Sequence, residues 1–292
     1  GIIGFRLPVA EMTKALPALV SSLQSASIMP VSEGIMTTDA FPKVRSATVG
    51  KGRIVATAKG AGMIEPNMAT MLCFILTDID MKRDVIERSF RKAVSVSLNR
   101  ISVDSDQSTS DTALIFSSQR KPSVSEEEFT EALISVLSPL ASDIVRNGEG
   151  TTHVMKVLVE EAPDEVSAAG FAKAVVNSPL VKTAVFGNDP NVGRIISALG
   201  DYAGNSGLLI DRSRVHISLG EEVVFSSGAF SLDAEKEKRL YEYLKASALP
   251  AEKKGFPLHD RTVDIHVRLG MGTESCLVHG SDLSYDYVKE NA

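Results

Sequence analysis

The chain has 292 residues, 43% of them hydrophobic and 23% charged, with a net charge of −6. That is enough apolar material for one large core or two ordinary ones, and too acidic a balance for a nucleic-acid surface. Two cysteines without paired spacing, Cys73 and Cys276, argue against a disulfide framework or a cysteine metal site and favour a reducing compartment, the cytoplasm.

In chain order, the spacing of Leu16, Leu19, Val20 and Leu23 predicts a helix over 13–26. Pro42 and the glycines from Gly50 to Gly62 punctuate what reads as a loop and short-strand region. Met71 to Ile79 is a short apolar run bounded by turn signals, hence a buried strand, and Asp84 to Leu98 a helix with Val85, Ile86, Phe90 and Val94 on one face. The polar loop "SVDSDQSTSD" leads into a strand, "TALIFSS". A long helix, "SEEEFTEALISVLSPLASDIV", opens with acids that suit its dipole, and its Pro139 should kink or divide it.

A β-rich run, "HVMKVLVEE", precedes a second unit. That unit holds helices at 165–176, after "NDPN" and at 233–247, short strands near Leu208, Val215 and Val223, and the strand "TVDIHVRL". Strands and helices mix without a βαβ rhythm, which predicts an α+β fold. The expected division is 1–160, 161–279 and a terminal segment 280–292. Apolar runs such as "MLCFIL" are far too short to span a membrane, and no signal peptide is evident. The chain opens on "GIIGF" without a methionine, and both ends read as cuts in a longer product.

One stretch is unlike ordinary structure. "KGAGMIEPNMATML" crowds Gly60, Gly62, Pro66 and Asn67 up to Ala69 and Thr70, directly before the apolar run. Taken singly, a threonine opening a strand fills a favourable β position. If the Ala69–Thr70 bond were cut, however, Thr70 would carry both a hydroxyl nucleophile and a free α-amine. With a reference pKa of roughly 7.7–8.0, that amine is partly unprotonated near neutrality and can serve as the base. The glycines and the proline would bend the chain so that the Ala69 carbonyl meets the hydroxyl, and a small Ala69 leaves room for attack.

The fourteen-residue stretch resembles the self-processing signature of the ornithine acetyltransferases (glutamate N-acetyltransferases) of arginine biosynthesis. The similarity continues, in order, through "IMTTDAFPK", "SVDSDQSTSDT", "RNGEGTT", "KTAVFGNDPNVGR" and "DLSYDYVKEN". The resemblance implies an N-terminal-nucleophile-like layered α/β sandwich with a second, smaller α+β domain, cleaved between Ala69 and Thr70 into α and β chains that assemble as α₂β₂. It also implies a ping-pong reaction without metal or organic cofactor, in which N-acetylornithine acetylates Thr70 and glutamate takes the acetyl group. Acetyl-CoA as a second donor stays open. Matched positions make Thr37, Lys59, Thr70, Glu149 and Asn291 substrate-binding residues.

Each of these has an ordinary alternative. Lys59 could be a solvated loop charge, Glu149 the end of a helix, Thr37 a turn hydroxyl and Asn291 a terminal polar residue. Lys59 would suit a substrate carboxylate and Glu149 a substrate ammonium, with Gly148 and Gly150 leaving Glu149 room to face a ligand. Gly1 matches the glycine of the family's oxyanion hole, whose partner threonine would precede residue 1, and the family's final threonine would follow Asn291. Smaller departures are Ser105, Val192, His279 and Ser281.

Other signals are weaker. Asp104 and Asp106 resemble a calcium loop but lack its central glycine and terminal glutamate, which favours a hydrogen-bonded loop. "GNDPNVGR" could hold an anion but reads as a structural turn, the five histidines lack ligand spacing, and Cys73 reads as buried. Two rival functions remain: an aminopeptidase or amidase on the same scaffold, and a non-catalytic amino-acid-binding paralogue.

Overall fold

The structure is a computed structural model and describes residue 4 and residues 6–65, 71–250 and 260–292. Its first sheet has the order β1-β2-β3-β5. β1 (Lys43–Val49) and β2 (Gly52–Lys59) form an antiparallel hairpin that turns at Gly50, where φ is +54°. β3 (Leu72–Ile79) pairs antiparallel with β2 and parallel with β5 (Thr112–Lys121). The expected loop and short strands between residues 42 and 62 are therefore two full strands. Their β-branched content decides this, and the glycines mark the turn and the strand start.

α3 (Arg83–Ser95) and α4 (Glu126–Arg146) pack on this sheet and close a core that includes Ile54, Ile75, Phe129, Leu133 and Ile144. Pro139 neither divides α4 nor ends it. Proline deprives only the carbonyl four residues back of its partner, and that residue, Ser135, lies on the exposed side. Burial of Leu133, Val136, Leu137, Leu140 and Ile144 on both sides of the proline keeps one helix.

The second sheet has the order β4-β11-β6-β10-β7-β8-β9. Its members are β4 (Ile101–Ser102), β6 (Val154–Ala162), β7 (His216–Leu219), β8 (Glu222–Ser226), β9 (Ala229–Phe230), β10 (Val263–Arg268) and β11 (Glu274–Ser281). α5 (Glu165–Asn177), α6 (Pro179–Phe186), α7 (Val192–Asn205) and α8 (Ala234–Ser247) share its core with Met155, Val157, Phe171, Val175, Ile217 and Ile265. Residue 160, the expected domain boundary, falls inside β6. The first core ends at Val154 and the second begins at Met155. No strand forms at Leu208, whereas α6 and β11 were not expected.

Three further helices lie towards the ends: α1 (Val9–Ser21), four residues earlier than the sequence suggested, α2 (Met29–Gly34) and α9 (Tyr285–Asn291). The apolar residues of α1, among them Leu16, Leu19 and Val20, are exposed. No helix among the described residues is long and apolar enough to cross a membrane.

Candidate active site

The ends of β2 and β3 define the site. Lys59 is the last residue of β2 and stands opposite Leu72, the first of β3, which in turn pairs with Thr112 at the start of β5. Around these ends lies a cleft of about 680 Å³. Thr37, Lys59, Glu149 and Asn291 all line it, although the first and last of them are 254 positions apart in the chain. Met71, which follows Thr70 in the sequence, lines it too. Gly1, Ala69 and Thr70 lie outside the described residues.

The bent approach to the cleft is held by aspartates. Gly60 N–H donates to Asp39 Oδ1 at 2.8 Å, and Met63 and Ile64 N–H donate to the Asp104 carboxylate at 2.6 and 2.8 Å. Glu65 N–H then donates to the Asp106 carbonyl at 2.9 Å. The chain can therefore leave regular strand geometry at Gly60 without stranding backbone donors. Met63 adopts a left-handed φ of +56°, a conformation costly for a side-chain residue and sustained here by the Asp104 contacts. This is the hydrogen-bonded role expected for the acids of the "SVDSDQ" loop.

Beneath the cleft, Asp39 and Lys43 form an ion pair at 2.5 Å whose side chains are both fully buried. Asp39 also accepts from Thr37 N–H at 2.9 Å, and Asn147 Nδ2 donates to it at 3.3 Å. Burial pushes the Asp39 carboxyl upward, but the Lys43 charge and the Gly60 and Thr37 donors outweigh that and leave it below the usual carboxylate value. The pair thus ties Thr37 and the end of β2 to the residue that follows α4.

Glu149 sits in the turn after α4, with its N–H on the Ala61 carbonyl at 3.0 Å. One carboxylate oxygen accepts from Thr38 Oγ1 at 2.8 Å and the other from Asn291 Nδ2 at 2.9 Å. A Cβ at Gly62 would overlap this carboxylate, so glycine there is what lets Glu149 lie across the approach loop. Gly150, expected to open room for a ligand, instead makes room for α9. It has a φ of +62°, and a Cβ there would overlap the backbone of Tyr287. Ser284 caps α9 and donates to the Gly150 carbonyl at 2.6 Å, which fixes the helix that delivers Asn291.

The Lys59 side chain makes no hydrogen bond or salt bridge among the described residues, so its ammonium is open to an anionic ligand in the cleft. Asp111 lines the same cleft, and its Oδ2 is buried without a hydrogen-bond partner among the described residues. Burial pushes its carboxyl up to about 7, against the opposing pull of Lys59. Sequence reasoning missed Thr38, Asp39 and Asp111. The first two flank each other beside Thr37 in "MTTDAFPK" and the third closes "SVDSDQSTSD", so only position within matched strings could have flagged them. Cys73 is buried, which drives its thiol up to about 12, and Asn191 caps α7 as a structural turn.

Comparison with known proteins gives the chain its family. The sequence model of the ArgJ family matches residues 1–292. A Wolinella succinogenes protein named arginine biosynthesis bifunctional protein ArgJ is 40% identical over 297 residues, spanning all of this chain and 70% of that protein. A Methanothermobacter thermautotrophicus protein named glutamate N-acetyltransferase is 37% identical over 304 residues, spanning all of this chain and 71% of its own length. The crystal structure of arginine biosynthesis bifunctional protein ArgJ from Bacillus halodurans superposes with a TM-score of 0.65 at 30% identity, covering 75% of this chain and 97% of the other. That likeness bears out the α+β, N-terminal-nucleophile-like fold expected from the sequence. The chain belongs to the ArgJ family.

Proposed function

We propose that this chain is a self-processing glutamate N-acetyltransferase that moves an acetyl group from N-acetylornithine to glutamate through an ester on Thr70. One observation carries the reading: Thr37, Lys59, Glu149 and Asn291 converge on one cleft with Met71, the chain neighbour of Thr70. Both substrates are α-amino acids, so they share an α-carboxylate and an α-nitrogen. Lys59 meets the carboxylate, and Glu149, oriented by Thr38 and Asn291, accepts from the nitrogen.

In self-cleavage, the Thr70 hydroxyl attacks the Ala69 carbonyl, the C–N bond breaks, and water hydrolyses the resulting ester. This leaves Thr70 with a free amine. In the first half-reaction the hydroxyl attacks the acetyl carbonyl of N-acetylornithine, the amide C–N bond breaks, and the leaving ornithine nitrogen takes up the proton. The free Thr70 amine is the nearest carrier for that proton. In the second half-reaction the glutamate amine attacks the acetyl ester, the C–O bond breaks, and Thr70 recovers its hydroxyl proton. Gly1 supplies a backbone N–H to the oxyanion, a contact of the kind that contributes about 10²–10³ in rate. The chain that ends at Ala69 and the chain that begins at Thr70 assemble as α₂β₂.

The test is an acetyl-transfer assay on the purified protein and on Thr70→Ala. The reading expects acetylglutamate from the wild type and none from the variant. Full transfer by Thr70→Ala would refute it, and release of free acetate alone would replace transfer by hydrolysis.

A further inference from the structure

Asp111 has no part in the scheme above, yet it occupies the cleft with a buried oxygen that nothing in the described chain satisfies. Its place is fixed. Thr112 N–H donates to the Met71 carbonyl at 2.9 Å, which sets the start of β5, and hence Asp111, beside the residue that follows Thr70. On its other side Asp111 borders a second, mainly apolar cavity of about 450 Å³, formed with Phe90, Val94 and Leu98. Asp111 is itself only half-buried and lines the cleft, and a native protein leaves few polar atoms unpaired, so a carboxylate there with an unpaired oxygen points to a ligand.

The chemistry of the two substrates says which part of the ligand. Resting on the acetylornithine–glutamate reading, Lys59 and Glu149 take the groups that both molecules share. The side chains differ in sign, because that of ornithine ends in an ammonium and that of glutamate in a carboxylate. A ping-pong cleft must admit the cation in one half-reaction and the anion in the other. A permanently charged partner would favour one and repel the other.

We propose that Asp111 is the side-chain-reading residue of the cleft. It is a carboxylate toward the ammonium of the donor and a carboxylic acid, donating O–H, toward the side-chain carboxylate of the acceptor. A group that ionises near neutral pH can do both at little cost, and the burial that raises Asp111 to about 7 places it there. The charged groups around it are Lys59 from β2, Glu149 from the turn after α4, and Glu87 and Arg91 from α3. Glu87 and Arg91 pair with each other at 2.9 Å, and both Glu149 oxygens already accept hydrogen bonds. That leaves Lys59 as the neighbour that acts on Asp111.

The experiment is titration calorimetry of the whole protein with glutamate and with ornithine at about pH 8, in buffers of different ionisation enthalpy. Both ligands carry the same α-amino group, so its contribution cancels in the comparison. Glutamate should take up close to one proton more than ornithine. In Asp111→Asn that difference should vanish, with ornithine affinity falling about tenfold, the scale of one charge-assisted hydrogen bond, and glutamate affinity changing far less. Binding of both ligands with equal proton uptake by the wild type would overturn the role of Asp111 and leave the acetyl-transfer reading standing. Equal loss of both ligands in the variant would do the same. Failure of the wild type to bind either ligand would remove the acetyl-transfer reading itself, and Asp111's role with it. The wild-type comparison needs no variant, so a folding defect in Asp111→Asn does not protect the proposal.

Discussion

Replacing Asp39 by Asn should destabilise the protein far more than a one-atom change suggests. The Asp39–Lys43 pair is fully buried on both sides, so the substitution leaves an ammonium in the interior without a counter-charge. It also turns an amide N–H₂ toward donors that now point at carboxylate oxygens, among them Gly60 N–H at 2.8 Å and Thr37 N–H at 2.9 Å. Breaking a buried pair in this way costs about 3–5 kcal/mol. In a protein of this size that is a fall in Tm on the order of 10 °C. Urea unfolding monitored by circular dichroism would measure it, with a mutant cycle through Lys43→Met. The cycle should show strong coupling, since removing both partners leaves no buried charge behind. A loss below about 1 kcal/mol for Asp39→Asn would refute the reasoning and imply that water or rearrangement reaches the pair.

Two other substitutions probe the site and the fold. Glu149→Gln should lower kcat/KM for N-acetylornithine by about 10–100-fold with little change in unfolding midpoint, because it removes one charge-assisted contact to ligand. An unchanged kcat/KM would take Glu149 out of substrate binding. His279 lies in β11 between Ile101 and Lys156, where burial, then the Lys156 and Arg146 charges, hold its pKa down at about 4 against an ordinary 6.5. The folded state thus favours the neutral ring, and that stability is present above pH 6.5 and lost as pH falls from 6.5 towards 4. The wild type should lose roughly 2 kcal/mol over that window that His279→Gln does not. Parallel pH–stability curves for the two proteins would contradict this.

The sequence made the helices of strong periodicity legible and the weakly patterned strands illegible. α8 begins one residue after its acidic cap, Asp233, and α5 follows Asp164 in the same way, as their composition announces. By contrast β11, "ESCLVHGS", mixes Glu, Ser and His with apolar residues because one face meets α5 while the other carries half-buried polar groups. Its pairing partners, Ile101–Ser102 and Val154–Ala162, lie far away in the chain, and no local pattern encodes them. β1 and β2 were obscured by Gly50, in the hairpin turn, and Gly52, the first residue of β2.

The site divides in the same manner. Lys59 and Glu149 stand out only through the matched family strings, since a lone lysine at a strand end or a glutamate after a helix is ordinary surface chemistry. Their convergence is tertiary: Asp39, Asp104 and Gly62 shape the loop, and α9 brings Asn291 back across it. Asp111 was hidden because an aspartate closing a run of serines reads as solvated. Its burial arises from β5 docking beside Met71, which composition does not reveal.

The most direct test of the central claim is mass spectrometry of the protein before and after incubation with N-acetylornithine, and again after glutamate is added. The account predicts two chains, one ending at Ala69 and one beginning at Thr70, with one acetyl group appearing on Thr70 and leaving when glutamate arrives. A single uncut species of 31.2 kDa, or a cut chain whose Thr70 never carries acetyl, would contradict it.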